Sequence, residues 1–235
     1  MTLLPLLLAS CQAPAPGPSA SPTATLPTQA TPAPAPAAPV PAPINATRYR
    51  IRSDLSDVRF LVYRAGPLAR LGHNHVIQAG IIQGEIQLAR NFKASTVRLT
   101  LPVTGFQVDN ASARREEGED FATEPDENDI AGTRRNMLSD KVLDAARYPD
   151  ITIASATITG PSWQPDITLR IKLHGEEKEA TVPVALEFDA NKLIATAAFS
   201  VRQSDFGITP LAVLGGGLQV ADTVRIRLRL GATKE

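Results

Sequence analysis

The stretch Val224–Leu230, VRIRLRL, decides the fold class, because apolar and charged residues alternate strictly along its length. Side chains of an extended chain point alternately to the two faces of a sheet. This stretch therefore has one apolar face and one face of arginines, which is typical of an antiparallel strand with one buried side. The sequence predicts an all-β domain whose strands cover a single apolar interior.

The same alternation recurs upstream and sets the number of strands. It is clear in residues 97–103, 167–174, 180–188 and 193–201, and weaker in residues 49–53, 58–63 and 151–158. Another apolar stretch, Leu71–Leu88, is interrupted by Gly80 and Gly84, where a barrel strand commonly bends or bulges. Eight or nine strands match a barrel or a sandwich, and we favour a barrel because closure leaves no unpaired edge.

One helix is predicted in the middle of the chain. Asn128 or Asp129 can cap a segment whose apolar residues are Ile130, Met137, Leu138 and Val142. The helix is expected to end before Tyr148-Pro149, because a residue that precedes proline disfavours the helical conformation. Just upstream, the acidic run 116–127, EEGEDFATEPDE, is predicted to be a solvated surface loop.

The N-terminus resembles a bacterial lipoprotein signal. The apolar run Leu3–Ala9 is too short to span a bilayer, and Leu8-Ala9-Ser10-Cys11 resembles the lipobox, in which the cysteine becomes lipidated. We therefore expect residues 1–10 to be a signal peptide and acyl chains on Cys11 to anchor the protein to a membrane. The alternative is an incidental cysteine in a hydrophobic leader.

The segment after Cys11 is predicted to be a disordered tether. Residues 12–44 consist almost wholly of Ala, Pro, Ser and Thr and carry no charge, so they cannot bury enough apolar surface to fold. We place the lipidated cysteine and tether in residues 11–46 and the barrel domain in residues 47–235. Gln12 follows the cysteine in place of the Asp of a retention signal, which favours the outer membrane. We therefore expect a periplasmic or cell-envelope lipoprotein that is anchored in the outer membrane.

Composition and motifs exclude several classes of function. The 24 Lys and Arg residues balance the 24 Asp and Glu residues, which gives no net field toward nucleic acid. With one cysteine, the chain can form neither an internal disulfide nor a cysteine-based metal cluster. The chain has no nucleophile elbow, and the loop Leu214–Gly217 lacks the residues of a phosphate-binding loop, so we predict no enzymatic activity.

Four stretches, in this order, resemble the YceI-like family of lipid-binding proteins. They are 49–61 (YRIRSDLSDVRFL), 134–140 with 148–151 (RRNMLSD and YPDI), 169–175 (LRIKLHG) and 199–208 (FSVRQSDFGI). The resemblance implies an eight-stranded antiparallel, lipocalin-like barrel with one helix near an opening. It further implies a secreted or periplasmic protein whose interior holds a polyisoprenoid, an isoprenoid quinone or a fatty amide. The paired histidines of Gly72–His75 and the long acidic insert depart from the family pattern.

The resulting hypothesis is an extracytoplasmic carrier that holds one long-chain amphiphile, with no cofactor besides the bound lipid or quinone. A homodimer is compatible with this interpretation. The inward apolar residues predicted to contact the lipid are Phe60, Val62, Ile82, Leu99, Leu101, Leu169, Ile171, Leu186, Phe188, Phe199 and Phe206. The predicted polar contacts are His73, His75 and Asp205.

Two alternatives concern the same region of the chain. His73 and His75 lie two apart on a predicted strand, and with His174 they have the composition of an open zinc site, in a metal-binding protein or a metal-dependent enzyme. Against this, His174 shares its frame with polar residues that face away from the interior, which favours histidines of a rim or a turn. The second alternative is a scaffold whose barrel is fully packed and holds no ligand.

Overall fold

The computed structural model describes residues 45–235, so the predicted signal peptide, Cys11 and all but the last two residues of the predicted tether lie outside it. The strands are β1 (Thr47–Ala65), β2 (His75–Ala79), β3 (Gln83–Leu88), β4 (Thr96–Pro102), β5 (Phe106–Val108), β6 (Asp150–Thr159), β7 (Asp166–Leu173), β8 (Glu176–Pro183), β9 (Ala185–Asp189), β10 (Lys192–Arg202), β11 (Ala212–Val213) and β12 (Leu218–Lys234). The α-helices are α1 (Ala111–Glu116) and α2 (Glu127–Leu138). Short 3-10 helices lie at Ala69–Leu71, Phe92–Ala94, Val103–Gly105, Glu119–Phe121, Gln203–Phe206 and Leu214–Gly216.

All strands belong to one curled antiparallel sheet in the order β8-β7-β6-β4-β3-β1-β12-β10-β9. Off this path, β2 pairs with β1 and β5, and β11 pairs with β12. The prediction of a mostly β, antiparallel fold around one interior is confirmed. The predicted number of eight strands is wrong, because two predicted strands are each divided and two short strands, β5 and β11, carry no alternation that the sequence could reveal.

The first divided strand is the predicted stretch 71–88. Its parts β2 and β3 both pair with β1, but with different halves of it, and β1 changes register between Arg52 and Asp57. Gly84, the second residue of β3, has a φ of +148°, and a Cβ there would lie 2.1 Å from the carbonyl oxygen of Arg98. Only glycine fits this position, so the glycine that we expected at a bend is required by the close approach of β4.

The second divided strand is the predicted segment 180–188, which breaks at Val184. Its first part, β8, pairs with β7, whereas its second part, β9, pairs with β10 at the other end of the sheet. The two sheet edges are therefore consecutive in the chain, and no ladder joins them within residues 45–235. The backbone N–H of Val184 donates instead to Pro165 O at 2.9 Å. The sheet is thus curled, and the predicted hydrogen-bonded closure is wrong.

The helical region differs from the prediction in number and in bounds. The predicted helix is α2, but its cap is Asp126, whose side chain accepts a hydrogen bond from Asp129 N at 2.8 Å. The additional helix α1 is capped by Asn110, whose Oδ1 accepts from Ser112 N at 3.0 Å. A six-residue helix with one capping residue has too few turns for its periodicity to be visible in the sequence. Neither α-helix is long and apolar enough to cross a membrane.

Two apolar clusters lie on opposite sides of β1. The large one lines the concave side of the sheet, and most of its buried members lie on strands, among them β1, β4, β7 and β10. The small one lies on the outer side and consists of Leu61, Val76, Ala113 and Phe121. Phe121 belongs to the acidic segment that we expected to be solvated, so α1 and the 3-10 helix after it pack against the sheet from outside.

Candidate functional site

The concave side of the sheet encloses a cavity of about 520 Å³. Its wall is built almost entirely from aliphatic and aromatic side chains, because the apolar frame of each long strand faces inward. This volume falls in the range of known small-molecule sites, which are roughly 300–1,000 Å³. The alternative of a fully packed scaffold is therefore wrong for the described part of the chain.

Most of the predicted contact residues do meet in this cavity. Its wall includes Phe60, Val62, His73, His75, Leu99, Leu101, Leu169, Ile171, Leu186, Phe199 and Phe206. These residues come from β1, the loop before β2, β2, β4, β7, β9, β10 and the 3-10 helix Gln203–Phe206. The sheet thus brings together positions as far apart as residues 60 and 206. Strand alternation alone was sufficient to identify the apolar ones that lie on strands.

Three predicted contact residues lie elsewhere. Ile82 is buried in the break between β2 and β3, where its backbone N–H donates to Ser53 Oγ at 3.0 Å. Phe188 is 47% exposed, because it lies near the end of the edge strand β9. Asp205 forms an exposed ion pair with Arg202 at 2.6 Å. None of the three lines the cavity, so their predicted contact with a lipid is not supported.

The cavity opens at one side, where its wall reaches the surface. The exposed wall residues are Arg64, Leu71, Asp129, Asn136, Val213 and Gln219. The α2 helix contributes Asp129, Thr133 and Asn136, whose spacing of four and three residues places them on one helix face. The predicted position of a helix near an opening is thus confirmed, and the mouth combines apolar side chains with polar ones.

Two loops pack tightly together beside the mouth. Leu68 N donates to Gly217 O at 2.8 Å. Gly66 has a φ of +89°, and a Cβ there would lie 2.7 Å from the same oxygen of Gly217. The loop that precedes His73 is therefore held against the loop that follows β11, and glycine at position 66 permits this contact.

A buried polar cluster lies behind the histidines of the mouth. His75 Nδ1 lies 2.6 Å from Asp109 Oδ2, and the Asp109 side chain is completely buried. The other carboxylate oxygen of Asp109 accepts hydrogen bonds from Val76 N at 2.9 Å and from the Arg114 guanidinium. Arg114 Nη1 also donates to Asn74 O at 2.7 Å. The cluster thus fixes the imidazole of His75 in one orientation at the wall of the cavity.

The same cluster ties α1 and its following loop to β2. Arg114 Nη2 donates to Thr123 O at 2.6 Å, and Asn74 Nδ2 donates to Asp120 O at 2.7 Å. Strand alternation missed Asp109 and Arg114, because neither lies in an alternating segment. The available signal was the Asp109-Asn110 pair, which is typical of a turn before a helix and follows the short strand β5.

Two groups of the cluster have shifted pKa values. Burial by itself raises the pKa of the Asp109 carboxyl, but hydrogen bonds from His75, the Val76 N–H and Arg114 outweigh burial and hold it below its usual value. Burial and the neighbouring His75 lower the pKa of His73 below 6.5. The two imidazole rings are in edge-to-face contact, with centroids 4.9 Å apart.

The third histidine is separate from this site. His174 directly follows β7 with a φ of +53°, and its Nδ1 lies 3.3 Å from Phe206 O. It does not line the cavity, whereas His73 and His75 do. Within residues 45–235, no three His, Cys, Asp or Glu side chains come together as a metal site. The three-histidine site that we considered as an alternative does not form.

The sequence and the fold both match known proteins. Residues 49–232 match the model of the YceI-like domain. No curated protein matches the chain significantly. Among solved structures, Burkholderia cenocepacia BcnA is 15% identical with a TM-score of 0.58, and the match covers 77% of this chain and 98% of BcnA.

A second solved structure is the polyisoprenoid-binding domain from Saccharophagus degradans, which is implicated in plant cell wall breakdown. It is 12% identical with a TM-score of 0.55, and the match covers 80% of this chain and 98% of that domain. At these identities the two structures establish the fold alone, whereas the domain match extends over most of the chain. The four sequence stretches, the curled sheet and the domain match agree, and the chain belongs to the YceI-like family.

Proposed function

We propose that this protein binds one long-chain amphiphile, such as a polyisoprenoid, an isoprenoid quinone or a fatty amide, and carries it without chemical change. The observation that carries the proposal is the cavity of about 520 Å³ with an almost wholly apolar wall. Membership of the YceI-like family and the similar fold of a polyisoprenoid-binding domain support it.

Burial of the chain supplies the affinity in this proposal. Each methylene moved from water to the cavity contributes about 0.8 kcal/mol before the entropy losses of binding. A few isoprene units therefore suffice for tight binding. The preformed wall limits the ordering cost on the protein side, because buried strands supply its side chains.

The proposed place of action is the cell envelope. Cys11 and the proline-rich segment after it support a lipid-anchored protein whose binding domain is held away from the outer membrane by a tether. A carrier anchored in this way can exchange a lipid with the membrane without crossing it. Labelling of cells with a radioactive fatty acid tests the anchor, since Cys11→Ser is expected to abolish incorporation. A homodimer stays a prediction, which the mass of the protein in solution can check.

Two neighbouring alanines of β10 offer a matched test of the cavity. Ala197 is buried in the cavity wall, whereas Ala198 is exposed on the outer face of the same strand. We expect Ala197→Phe to fill the cavity and lower the affinity for farnesol at least tenfold, whereas Ala198→Phe leaves it unchanged. Circular dichroism confirms that both variants fold. Equal affinity in both variants, or no binding of farnesol, geranylgeraniol or palmitamide by the wild type, would overturn the proposal.

A further inference from the structure

We propose that His75 Nε2 accepts a hydrogen bond from a hydroxyl group of the bound amphiphile, so that the protein selects an isoprenoid alcohol or a phenol over ligands with only acceptor groups at the polar end. This inference rests on the proposed lipid-binding function and deepens it. It concerns the chemistry of the ligand's polar end, which the apolar wall does not determine.

The contact with Asp109 determines which nitrogen of His75 carries the hydrogen. An ionised carboxylate can only accept hydrogen bonds, and Asp109 is held in that form by the Arg114 guanidinium and the Val76 N–H. The atom that faces it at 2.6 Å, His75 Nδ1, must therefore carry the hydrogen. In a neutral imidazole the other nitrogen then has a lone pair and no hydrogen, so Nε2 is an acceptor.

The same contact determines which edge of the His75 ring faces the cavity. Because Nδ1 turns toward the completely buried Asp109, the opposite edge of the ring is the one available to the cavity, whose wall includes His75. Within residues 45–235, no hydrogen bond to Nε2 is formed by the protein itself. When a bound ligand excludes water from the cavity, a lone pair at the apolar wall without a donor is costly, and a ligand hydroxyl supplies that donor.

The charged and polar groups around His75 already have partners or are exposed to water. Arg114 is ion-paired with Asp109, so the carboxylate has a cationic partner besides its contact with His75. Arg64 at the mouth donates to Gly72 O, so this guanidinium already has an acceptor within the protein. Asp129 and Asn136 on α2 are exposed at the rim, where water competes for their hydrogen bonds.

The chemical consequence is discrimination by the end group alone. An alcohol or a hydroquinone hydroxyl donates to Nε2, whereas a methyl ether, an aldehyde or a quinone carbonyl has no hydrogen to donate. A ligand of the latter kind leaves the acceptor unpaired, for which the expected loss in affinity is about tenfold. Ligands with apolar chains of equal length bury the same apolar surface, so a difference in their affinities reports the end group alone.

The binding test uses the full chain and three probes, farnesol, farnesyl methyl ether and farnesal, which displace N-phenyl-1-naphthylamine from the cavity. We expect farnesol to bind about tenfold more tightly than the other two. In His75→Phe the three affinities should converge, whereas His174→Asn, which changes a histidine outside the cavity, should keep the preference. Asn tolerates the positive φ of position 174.

Nitrogen NMR of the wild type provides a test that does not depend on a variant. Two-bond proton–nitrogen spectra of the imidazoles should show a His75 Nε2 without hydrogen, and this resonance should move upfield with farnesol but not with the methyl ether. A protonated Nε2 would overturn the inference. So would a preference for farnesol that disappears in His73→Phe and persists in His75→Phe.

The outcomes also separate this inference from the function on which it rests. Equal binding of all three probes by the wild type overturns the selection of a hydroxyl and leaves lipid carriage intact. Binding of none of them overturns both.

Discussion

Arg59 Nη1 on the outer face of β1 donates a hydrogen bond to Glu117 Oε1 at 2.9 Å, and the Glu117 side chain is only 3% exposed. The second carboxylate oxygen of Glu117 accepts from Arg227 Nη1 on β12 at 2.6 Å. Although burial lowers the pKa of Arg59, the carboxylates of Asp57, Glu116 and Glu117 raise it overall. The end of α1 is thus bound to the two longest strands of the sheet.

We expect Glu117→Gln to lower the free energy of unfolding by about 2 kcal/mol, because it leaves a mostly buried guanidinium with weaker partners. Urea denaturation followed by circular dichroism measures this loss. Glu124→Gln is the matched control, since Glu124 is exposed in the same acidic segment, and it should change the stability by no more than about 0.5 kcal/mol. A loss of equal size in both variants would show that overall charge, and not the pair with Arg59, is responsible.

Asp109→Asn is expected to cost more, about 3 kcal/mol at pH 7, because Arg114 is buried and loses its charged partner. The pKa of Asp109 is depressed in the folded protein, so its contribution is fully present above its unfolded value near 3.8 and is lost as the pH falls further. The stability difference between wild type and variant should therefore shrink between pH 5 and pH 2.

Chemical denaturation at several pH values measures this difference. Asp140→Asn, at an exposed position, serves as the control and should run parallel to the wild type over the whole range. If the difference in free energy of unfolding between wild type and Asp109→Asn stays constant down to pH 2, the assigned role of the carboxylate is wrong.

The sequence contained enough information for the sheet but not for its closure. Alternation is a local property, so it located the inward residues of β4, β7, β10 and β12 correctly. The break at Val184 leaves no local signal, because the residues on both sides of it continue the same apolar frame. It arises because β8 and β9 pair with strands at opposite ends of the sheet. Which strand a segment pairs with depends on the curvature of the whole sheet, which no single segment records.

The site could be predicted to a similar extent. His73 and His75 were recognised from their spacing, and the structure places both at the cavity wall. Asp109, the partner of His75, is 34 residues away from it, in a turn whose position is set by the pairing of β5 with β2. The histidines therefore suggested a metal when taken alone, whereas the buried carboxylate accounts for the orientation of His75.

The two loops beside the mouth give a prediction about backbone packing. Gly66→Ala places a methyl group 2.7 Å from Gly217 O and so displaces the carbonyl that accepts from Leu68 N. We expect a loss of about 2–3 kcal/mol in stability, of which the positive φ accounts for roughly 1 kcal/mol. Thermal unfolding of the purified protein measures the loss.

Gly215→Ala provides the control for this substitution. Gly215 also has a positive φ, of +64°, but a Cβ there meets nothing within 4 Å. This variant should therefore show only the conformational cost of about 1 kcal/mol. Equal losses in the two variants would show that the contact between the loops contributes nothing.

His73 gives the last prediction, which concerns stability at mildly acidic pH. Burial and the neighbouring His75 lower its pKa below 6.5, and the carboxylates of Asp129 and Asp109 oppose this shift without cancelling it. Above pH 6.5 both the folded and the unfolded chain hold this imidazole neutral. As the pH falls below 6.5, the unfolded chain binds a proton that the folded chain resists, so this residue lowers the stability of the fold until its folded pKa is reached.

The measurement compares wild type with His73→Gln by denaturation between pH 7.5 and pH 5. The wild type should lose stability over this range more steeply than the variant, because glutamine takes up no proton. Proton NMR of the same imidazole should give a pKa below 6.5, and farnesol should lower it further, because a bound lipid excludes water from the ring. A pKa above 6.5, or one that rises with farnesol, would mean that the Asp129 and Asp109 carboxylates dominate and that the mouth favours a charged imidazole.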